Sequence, residues 1–245
     1  MRHHQLGLSS LVVTAVILAG GLGTRLRSVV PDLPKPMAPV NGRPFLACLM
    51  DYWLQQGIQH FVLSVGYRHQ SIIDYFGSNY CGSPVEYVVE ETPLGTGGGL
   101  LLAAEKLSPN EPFLLLNGDT YFAVDLARLD TFARATQADW CFSLFRTNEA
   151  GRYMGMDVAA NGQIIRLKSE SVGGGGLANG GVYWVHPRAL RDGAFAVGSS
   201  ISLENDLFPA AVAAGQQLMG LEFGGTFIDI GVPADYQRAP GLLAA

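Results

Sequence analysis

Residues 16–26, VILAGGLGTRL, carry an apolar run directly into a loop that contains three glycines. An apolar run bounded by glycines predicts a buried strand, here over residues 12–18. Glycines leave backbone N–H groups able to surround phosphate oxygens, and Arg25 adds a forked cation beside them. Because ligands bind beyond the carboxyl ends of strands in open α/β sheets, we expect this loop to belong to a binding site.

Two common phosphate-binding patterns do not match this loop. A dinucleotide loop has the spacing G-x-G-x-x-G, but after Gly21 and Gly23 the third glycine is replaced by Leu26. A Walker A loop continues into Gly-Lys-Ser/Thr, which is absent here. An NAD-dependent oxidoreductase is therefore disfavoured, and tight packing of a strand against a helix is the remaining structural interpretation of the glycines.

The first 140 residues alternate between short β-rich runs and longer amphipathic segments, which is typical of βαβ units in a parallel sheet. The predicted strands are 12–18, 61–65, 85–89 and 113–116, and the predicted helices are 45–54, 70–76 and 98–107. Later in the chain, Asn161-Gly162 predicts a hairpin of 154–158 with 163–167. A strand over 180–185, a helix over 202–214 capped by Ser202 and a strand over 226–230 follow.

These elements predict the fold class α/β, as a Rossmann-like three-layer αβα sandwich with a mostly parallel central sheet and a small antiparallel excursion. Residues 1–10 are expected to form an N-terminal tail and residues 11–245 a single domain. The domain divides into a first half of about residues 11–140, which carries the glycine loop, and a second half of about residues 141–245.

Composition narrows the functional classes. The chain has 245 residues, of which 48% are hydrophobic and 15% charged, so a globular core is expected and disorder is excluded. The net charge of -5 disfavours a nucleic-acid partner. The longest apolar run, 11–19, is shorter than the roughly 20 residues that span a bilayer, so no membrane span is expected. Three widely spaced cysteines fit no disulfide framework, which favours a reducing, cytoplasmic location.

A lysine between two prolines follows the glycine loop. Pro34 fixes the preceding turn and Pro36 disfavours the helical region for Lys35, so we expect the ammonium group to extend from a stiff, extended loop. A single lysine is usually a solvated surface charge. Close behind the loop that carries Arg25, it is better explained as half of a cationic clamp.

Two aspartates follow apolar runs at distant points of the chain. Asp119 closes the sequence Asn117-Gly118-Asp119, and Asp229 lies in FIDIG at 227–231. Each one alone is more often a turn former than a ligand. Magnesium prefers one or two carboxylates together with phosphate oxygens and water, so the pair predicts a Mg²⁺ site for a metal–phosphate complex.

GGLGTRL at 20–26 followed by PKP at 34–36 resembles the signature of the sugar-1-phosphate nucleotidylyltransferases. The resemblance covers residues 13–236. It implies an enzyme that joins a nucleoside triphosphate and a sugar 1-phosphate into a nucleotide-sugar, with release of pyrophosphate and with Mg²⁺ as cofactor. The first half would hold the nucleotide and the second half the sugar, without nucleic acid or membrane, and assembly of identical subunits is compatible with the family.

The resemblance also assigns roles to residues. The catalytic set is Arg25, Lys35, Asp119 and Asp229, of which the two aspartates hold the metal. The expected nucleotide contacts include the loop 90–98, EETPLGTGG, and comprise Leu18, Ala19, Gly20, Gly21, Gly23, Thr24, Glu90, Gly95, Thr96 and Gly118. The expected sugar-phosphate contacts are Gly155, Lys168, Asn179 and Glu204. Many family members carry Glu-Lys-Pro after the hairpin, whereas this chain has LKSES at 167–171, so Lys168 would act from a shifted position or is a solvated loop lysine.

Within the family, residues 26–46 are most similar to the D-glycero-α-D-manno-heptose 1-phosphate guanylyltransferases of bacterial capsule and lipopolysaccharide pathways, which implies GTP as donor. One alternative keeps the chemistry but uses a hexose 1-phosphate, as in mannose-1-phosphate guanylyltransferases or glucose-1-phosphate uridylyl- and thymidylyltransferases. Another is a catalytically silent regulatory protein that binds a nucleotide-sugar. The retained aspartates and cations disfavour the silent protein, whereas the residues themselves do not distinguish guanine from the other bases.

Overall fold

The computed structural model describes residues 12–21, 23–26, 28–149, 151–169, 175–191 and 193–243, so the predicted tail 1–10 lies outside the described residues. In chain order the strands are β1 (Thr14–Ala19), β2 (Pro39–Val40), β3 (Arg43–Pro44), β4 (His60–Val65), β5 (Asn79–Tyr80), β6 (Ser83–Val89), β7 (Phe113–Asn117), β8 (Thr120–Phe122), β9 (Trp140–Thr147), β10 (Gly155–Val158), β11 (Ile164–Ser169), β12 (Gly176–Val185), β13 (Leu218–Glu222) and β14 (Phe227–Asp229). The α-helices are α1 (Phe45–Gln55), α2 (His69–Phe76), α3 (Gly95–Ala104), α4 (Leu126–Ala135), α5 (Phe208–Ala213) and α6 (Pro233–Leu242).

Parallel strands form the centre of the large sheet. β1 pairs in parallel with both β4 and β7, and β4 pairs in parallel with β6. Alternate residues of β1 belong to different cores, since Ile17 packs on one face of the sheet with Trp53 of α1, and Val16 packs on the other face with Leu100 of α3. Helices on both faces bury most of β1, β4 and β7, which explains why these strands are largely apolar, whereas β6 is partly exposed. The predicted fold class, with its mostly parallel central sheet, is confirmed.

The antiparallel part of the sheet is larger than the predicted hairpin. The hairpin itself is present, because β10 pairs with β11 in antiparallel fashion. The long strand β12 pairs antiparallel with β7, β9 and β10, and β13 adds to β9 in parallel. The second half of the chain therefore extends the same sheet through β12.

Two predicted helices differ from the observed ones. α3 begins at Gly95 instead of residue 98, because the backbone of Ile201 accepts hydrogen bonds from Gly97 N at 2.9 Å and Gly98 N at 3.2 Å. The helix predicted over 202–214 begins as a π-helical turn, Leu203–Leu207, and continues as α5. Its cap is confirmed, since Ser202 Oγ accepts hydrogen bonds from two backbone N–H groups of that turn. The strands and α-helices that the sequence did not predict are the helices α4 and α6, the longer strands β9 and β13, and the short strands β2, β3, β5 and β8.

A separate two-stranded sheet brings the two aspartate segments together. β8 and β14 pair antiparallel, with Thr120 opposite Asp229. The backbone N–H of Ile230 donates to the carbonyl of Asp119 at 3.0 Å, which extends this pairing by one further bond. Asp119 and Asp229 therefore lie side by side at the carboxyl end of β7. Within the described residues, no helix is both long and apolar enough to cross a membrane.

Candidate active site

A cleft of about 270 Å³ opens beyond the carboxyl ends of β1 and β7. It is lined by Leu18, Ala19, Gly20, Gly21, Lys35, Pro36, Glu90, Pro93, Gly95, Thr96, Asn117, Gly118 and Asp119. Eight of the ten residues predicted to contact a nucleotide are among them; Gly23 and Thr24 are not. We call this space the first cleft.

Close backbone approach explains two of the glycines in the first cleft. A β-carbon on Gly118 would lie 2.5 Å from the carbonyl oxygen of Leu18, with which Gly118 N forms a hydrogen bond of 2.9 Å. A β-carbon on Gly20 would lie 2.2 Å from Glu90 Oε1. In contrast, apart from the chain neighbours of Gly21, no atom of the described residues lies within 4 Å of the corresponding position on this glycine. Gly20 and Gly118 thus allow neighbouring segments of the cleft wall to approach closely, while Gly21 leaves open space in the cleft itself.

The Glu90 carboxylate is fixed on the wall by two hydrogen bonds. Ser64 Oγ donates to Oε1 and the backbone N–H of Leu94 donates to Oε2, both at 3.0 Å. Each carboxylate oxygen can accept further hydrogen bonds. Glu90 is therefore a rigid acceptor beside the loop that carries Gly95 and Thr96.

Lys35 reaches the first cleft from a short 3₁₀ turn, Lys35–Met37, so its backbone is helical instead of extended as expected. Two hydrogen bonds explain the difference: Met37 N donates to Pro34 O at 2.8 Å and Ala38 N donates to Lys35 O at 3.0 Å. The glycine loop packs on the stem of this lysine, since a β-carbon on Gly23 would lie 3.0 Å from Lys35 Cβ. The ammonium group forms an ion pair and hydrogen bond with Asp119 Oδ2.

Asp229 completes a cluster of three charged groups. A β-carbon on Gly231 would lie 2.7 Å from Asp229 Oδ1 and 3.0 Å from Lys35 Nζ, so both groups meet at this glycine. Burial raises the pKa of the Asp229 carboxyl above its usual range and the charge of Asp119 raises it further, whereas Lys35 lowers it. The cluster therefore holds two neighbouring carboxylates with one ammonium group between them.

The arrangement fits a divalent cation that is shared with a substrate. Two carboxylates in a partly desolvated site attract a hard cation, and their oxygens are the ligands that Mg²⁺ prefers. Among the residues that the structure describes, no group of three or more His, Cys, Asp or Glu side chains could hold a metal ion. Further ligands would therefore be phosphate oxygens and water. Arg25, the fourth predicted catalytic residue, is exposed and is not among the described residues that line the cleft.

A second cleft, of about 240 Å³, shares the lining residue Asn117 with the first. It is lined by Asn117, Thr120, Arg152, Tyr153, Met154, Asn179, Gly180, Gly181, Glu204, Phe227 and Asp229. Of the predicted sugar-phosphate contacts, Asn179 and Glu204 line this cleft. Gly155 is buried beside Met154, and Lys168 is exposed, with its ammonium group bound to Asn205 Oδ1. Neither Gly155 nor Lys168 belongs to the described lining.

Hydrogen bonds fix the floor of the second cleft and connect it to the first. Asn179 Nδ2 donates to the buried Tyr183 hydroxyl at 2.7 Å. Glu204 Oε2 accepts from Ser202 Oγ at 2.9 Å and from Thr96 Oγ1 at 3.3 Å. Thr96 Oγ1 also accepts from Leu203 N at 2.8 Å. Thr96 thus belongs to the wall of one cleft and supports a carboxylate of the other.

Comparison with known proteins shows the family of this chain. Residues 14–244 match the family model described as nucleotidyl transferase. The chain belongs to this family.

Similar members of the nucleotidyl transferase family are guanylyltransferases. The D-glycero-alpha-D-manno-heptose 1-phosphate guanylyltransferase of Aneurinibacillus thermoaerophilus is 38% identical over 92% of this chain and 96% of its own length. The mannose-1-phosphate guanylyltransferase of Mycobacterium tuberculosis is 35% identical over 92% of this chain and 63% of its own length. The crystal structure of HddC from Yersinia pseudotuberculosis complexed with GMP-PN is 33% identical, with a TM-score of 0.79, and covers 94% of this chain and 99% of that chain.

Several residues of the second cleft have no counterpart in the sequence prediction. Arg152, Tyr153 and Phe227 come from two segments that meet only in the folded nucleotidyl transferase. The Tyr153 and Phe227 rings pack edge to face with centroids 5.4 Å apart. A charged residue followed by an aromatic one is common on any surface, so local sequence offered no signal for Arg152.

Proposed function

We propose that this nucleotidyl transferase joins GTP and D-glycero-α-D-manno-heptose 1-phosphate to give GDP-heptose and pyrophosphate. The observation that carries the proposal is the meeting of Lys35, Asp119 and Asp229 at the junction of two clefts. The choice of guanine and heptose is supported by relatives named as heptose 1-phosphate guanylyltransferases, which match nearly the whole chain.

The two clefts suit the two substrates. In this proposal GTP occupies the first cleft, where glycine backbones approach the phosphates and the wall carrying Glu90 faces the base. The sugar 1-phosphate occupies the second cleft, with Asn179 and Glu204 on its hydroxyl groups. The first half of the chain then supplies the nucleotide site, and the second half supplies most of the sugar site.

The reaction requires alignment and charge neutralisation. A phosphate oxygen of the sugar 1-phosphate forms a bond to the α-phosphorus, and the bond from that phosphorus to the bridging oxygen of the β-phosphate breaks, so its electron pair leaves with pyrophosphate. The attacking oxygen is already anionic at neutral pH, so no general base is needed. Lys35 offsets the repulsion between the two anions at the junction, and Arg25 would add its charge from the glycine loop.

Mg²⁺ is the proposed cofactor, held by Asp119 and Asp229 together with phosphate oxygens. It would neutralise the triphosphate and the leaving pyrophosphate. Lys168 is proposed to assist the acceptor phosphate from the rim of the second cleft. Since GTP and sugar phosphates are the substrates, the proposed location is the cytoplasm.

A substrate panel tests the proposal. The protein is mixed with Mg²⁺, one of five nucleoside triphosphates and one of three acceptors, namely heptose, mannose or glucose 1-phosphate, and pyrophosphate is measured. We expect the highest kcat/KM for GTP with heptose 1-phosphate. A preference for mannose 1-phosphate would replace the proposed acceptor with a hexose, and nucleotide-sugar binding without pyrophosphate release in any mixture would indicate a regulatory protein.

A further inference from the structure

The second cleft is short of positive charge. Two carboxylates, of Asp229 and Glu204, line it, and Arg152 is the single basic residue among the described residues of its lining. A sugar 1-phosphate carries between one and two negative charges near pH 7, because the second pKa of a phosphate monoester is about 6. Such an anion is repelled by the two carboxylates unless a cation lies close to it.

Arg152 is held in place from two sides. Its Nη2 forms an ion pair with Asp235, a residue of α6 that is only 4% exposed, and its Nη1 donates to Glu149 Oε2 at 2.7 Å. Its guanidinium also lies over the Tyr153 ring, 4.8 Å from the centroid. A guanidinium has five N–H donors, so two ion pairs leave three for a ligand.

The two acidic partners of Arg152 differ in burial: Asp235 is buried, whereas Glu149 is exposed. Asp235 also accepts from Arg238 Nη1 at 3.0 Å, so it is neutralised from both sides and keeps the Arg152 side chain fixed. The Glu149 side chain is 53% exposed and bonds a neighbour three residues away, which is a weak surface pair. An incoming phosphate can replace Glu149 without disturbing Asp235.

Arg152 is also tied to the reacting end of the cleft. The Tyr153 ring under its guanidinium packs against Phe227, which stands two residues before Asp229 in β14. A guanidinium presents pairs of N–H groups that match the oxygens of a phosphate. By comparison, Lys168 is exposed and its ammonium group already binds Asn205.

We propose that Arg152 binds the phosphate group of the sugar 1-phosphate, and that Asp235 is the positioning residue that aims it. This inference rests on the proposed function, because it assumes a sugar 1-phosphate in the second cleft. It adds a cation that the sequence did not indicate and assigns a role to α6, which otherwise lies outside the site.

Steady-state kinetics of Arg152→Gln and Arg152→Lys test the proposal. We expect Arg152→Gln to raise the KM for heptose 1-phosphate about tenfold or more, since charge-assisted hydrogen bonds are lost, while the KM for GTP stays within about twofold. Arg152→Lys keeps a cation beside Asp235 but loses the forked geometry, so an intermediate KM is expected. Arg238→Gln is the matched control, because it also removes a partner of Asp235 but lies outside the cleft, and its KM should stay normal.

A binding measurement separates affinity from turnover. Heptose 1-phosphate and unphosphorylated heptose are titrated calorimetrically into protein saturated with α,β-methylene GTP, in which the bond to be broken is blocked. The wild-type protein should prefer the phosphorylated sugar, and Arg152→Gln should lose most of that preference. Asp235→Asn should lose part of it, because Arg152 remains but is less firmly aimed.

Three results would overturn the proposal. The first is an unchanged KM and an unchanged preference in Arg152→Gln. The second is an equal rise of KM in Arg238→Gln, which would mean that both arginines only anchor α6. The third is a rise confined to Lys168→Ala. If the wild-type protein uses mannose 1-phosphate instead, the proposed acceptor is wrong, and the same variants measured with mannose 1-phosphate decide the role of Arg152.

Discussion

The two clefts differ in the kind of residue that lines them. The lining of the first cleft includes four glycines, Gly20, Gly21, Gly95 and Gly118, whose backbone is not covered by a side chain. The second cleft is lined mainly by polar and aromatic residues of β8, β12, β14, the π-helical turn and the segment 152–154. Backbone amides bind phosphate whatever the remainder of the ligand is, whereas side chains fit one arrangement of hydroxyl groups.

This difference accounts for what varies among similar proteins. Relatives named for heptose 1-phosphate and for mannose 1-phosphate are both guanylyltransferases and both align with nearly all of this chain. A side-chain-lined cleft can change its ligand by substitution, while a glycine-lined cleft tolerates few substitutions without steric clashes. We therefore expect variants of the junction to lower kcat, variants of the first cleft to raise the KM for GTP, and variants of the second cleft to raise the KM for the acceptor.

The largest effect is expected at the junction that both clefts share. Lys35→Ala and Asp119→Ala should each lower kcat by roughly two orders of magnitude or more, because each removes charge that offsets the repulsion between two anions. Circular dichroism and thermal melting should show a retained fold. Near-normal turnover in either variant would contradict the proposed chemistry.

Within the first cleft, Gly118→Ala and Gly21→Ala form a matched pair. Gly118→Ala should lower the melting temperature, since its new methyl group would lie 2.5 Å from the Leu18 carbonyl oxygen. Gly21→Ala should leave the melting temperature unchanged, because no atom of the described residues beyond its chain neighbours lies within 4 Å of the new carbon, but should raise the KM for GTP about tenfold. Equal behaviour of the two variants would show that Gly21 does not face the nucleotide.

In the second cleft, Glu204→Gln should have a smaller and more selective effect. Glutamine keeps an oxygen for the hydrogen bonds from Ser202 and Thr96, so the turn should survive, while the other carboxylate oxygen, which we propose accepts from the hydroxyl groups of the acceptor, is replaced by an NH₂ group. We expect the KM for heptose 1-phosphate to rise several-fold, with the KM for GTP nearly unchanged. A change in the KM for GTP alone would place Glu204 in the nucleotide site.

The smallest expected effect is on the melting temperature of the metal-free protein. The pKa of Asp229 is raised in the folded protein, so ionisation of this carboxyl lowers the free energy of unfolding. The loss of stability begins as the pH rises through the ordinary pKa range of an aspartate. Asp229→Asn should therefore melt a few degrees higher than the wild-type protein at pH 7 in the presence of a chelator, although it is inactive. The difference should shrink at pH 4 and on addition of Mg²⁺ to the wild-type protein; a difference independent of both would contradict the assigned cause.

The sequence predicted the first cleft better than the second for a physical reason. The residues around β1 are contiguous, and glycines after an apolar run restrict the backbone to few outcomes. Asp119 and Asp229 were also recognisable, since each follows apolar residues of a predicted strand. Arg152 and Asp235 were not, because an arginine becomes part of a site only when a distant helix supplies its buried partner.

The same limit applies to the secondary structure. α6 has a weak amphipathic pattern and contains Pro240, so it does not stand out in the sequence. α4 did carry a signal that the prediction missed, because Leu126, Leu129 and Ala133 recur at helical spacing after the capping residue Asp125. β13 is recruited by pairing with β9 and was not legible from its own five residues. For Lys168, the sequence left open a contact with the acceptor phosphate and a solvated position in a loop; in the structure its side chain is exposed and its ammonium group binds Asn205.

The pairing of β8 with β14 limits how this chain can drift in evolution. Successive residues of a strand face opposite sides, so deleting one residue of β14 would turn Asp229 away from Asp119. The approach to β14 is equally constrained, since a β-carbon on Gly225 would lie 1.9 Å from the Ala123 carbonyl oxygen. An insertion or deletion at 225–229 would therefore move one carboxylate of the pair away from the other, so the length of this segment is tied to the metal site that we propose.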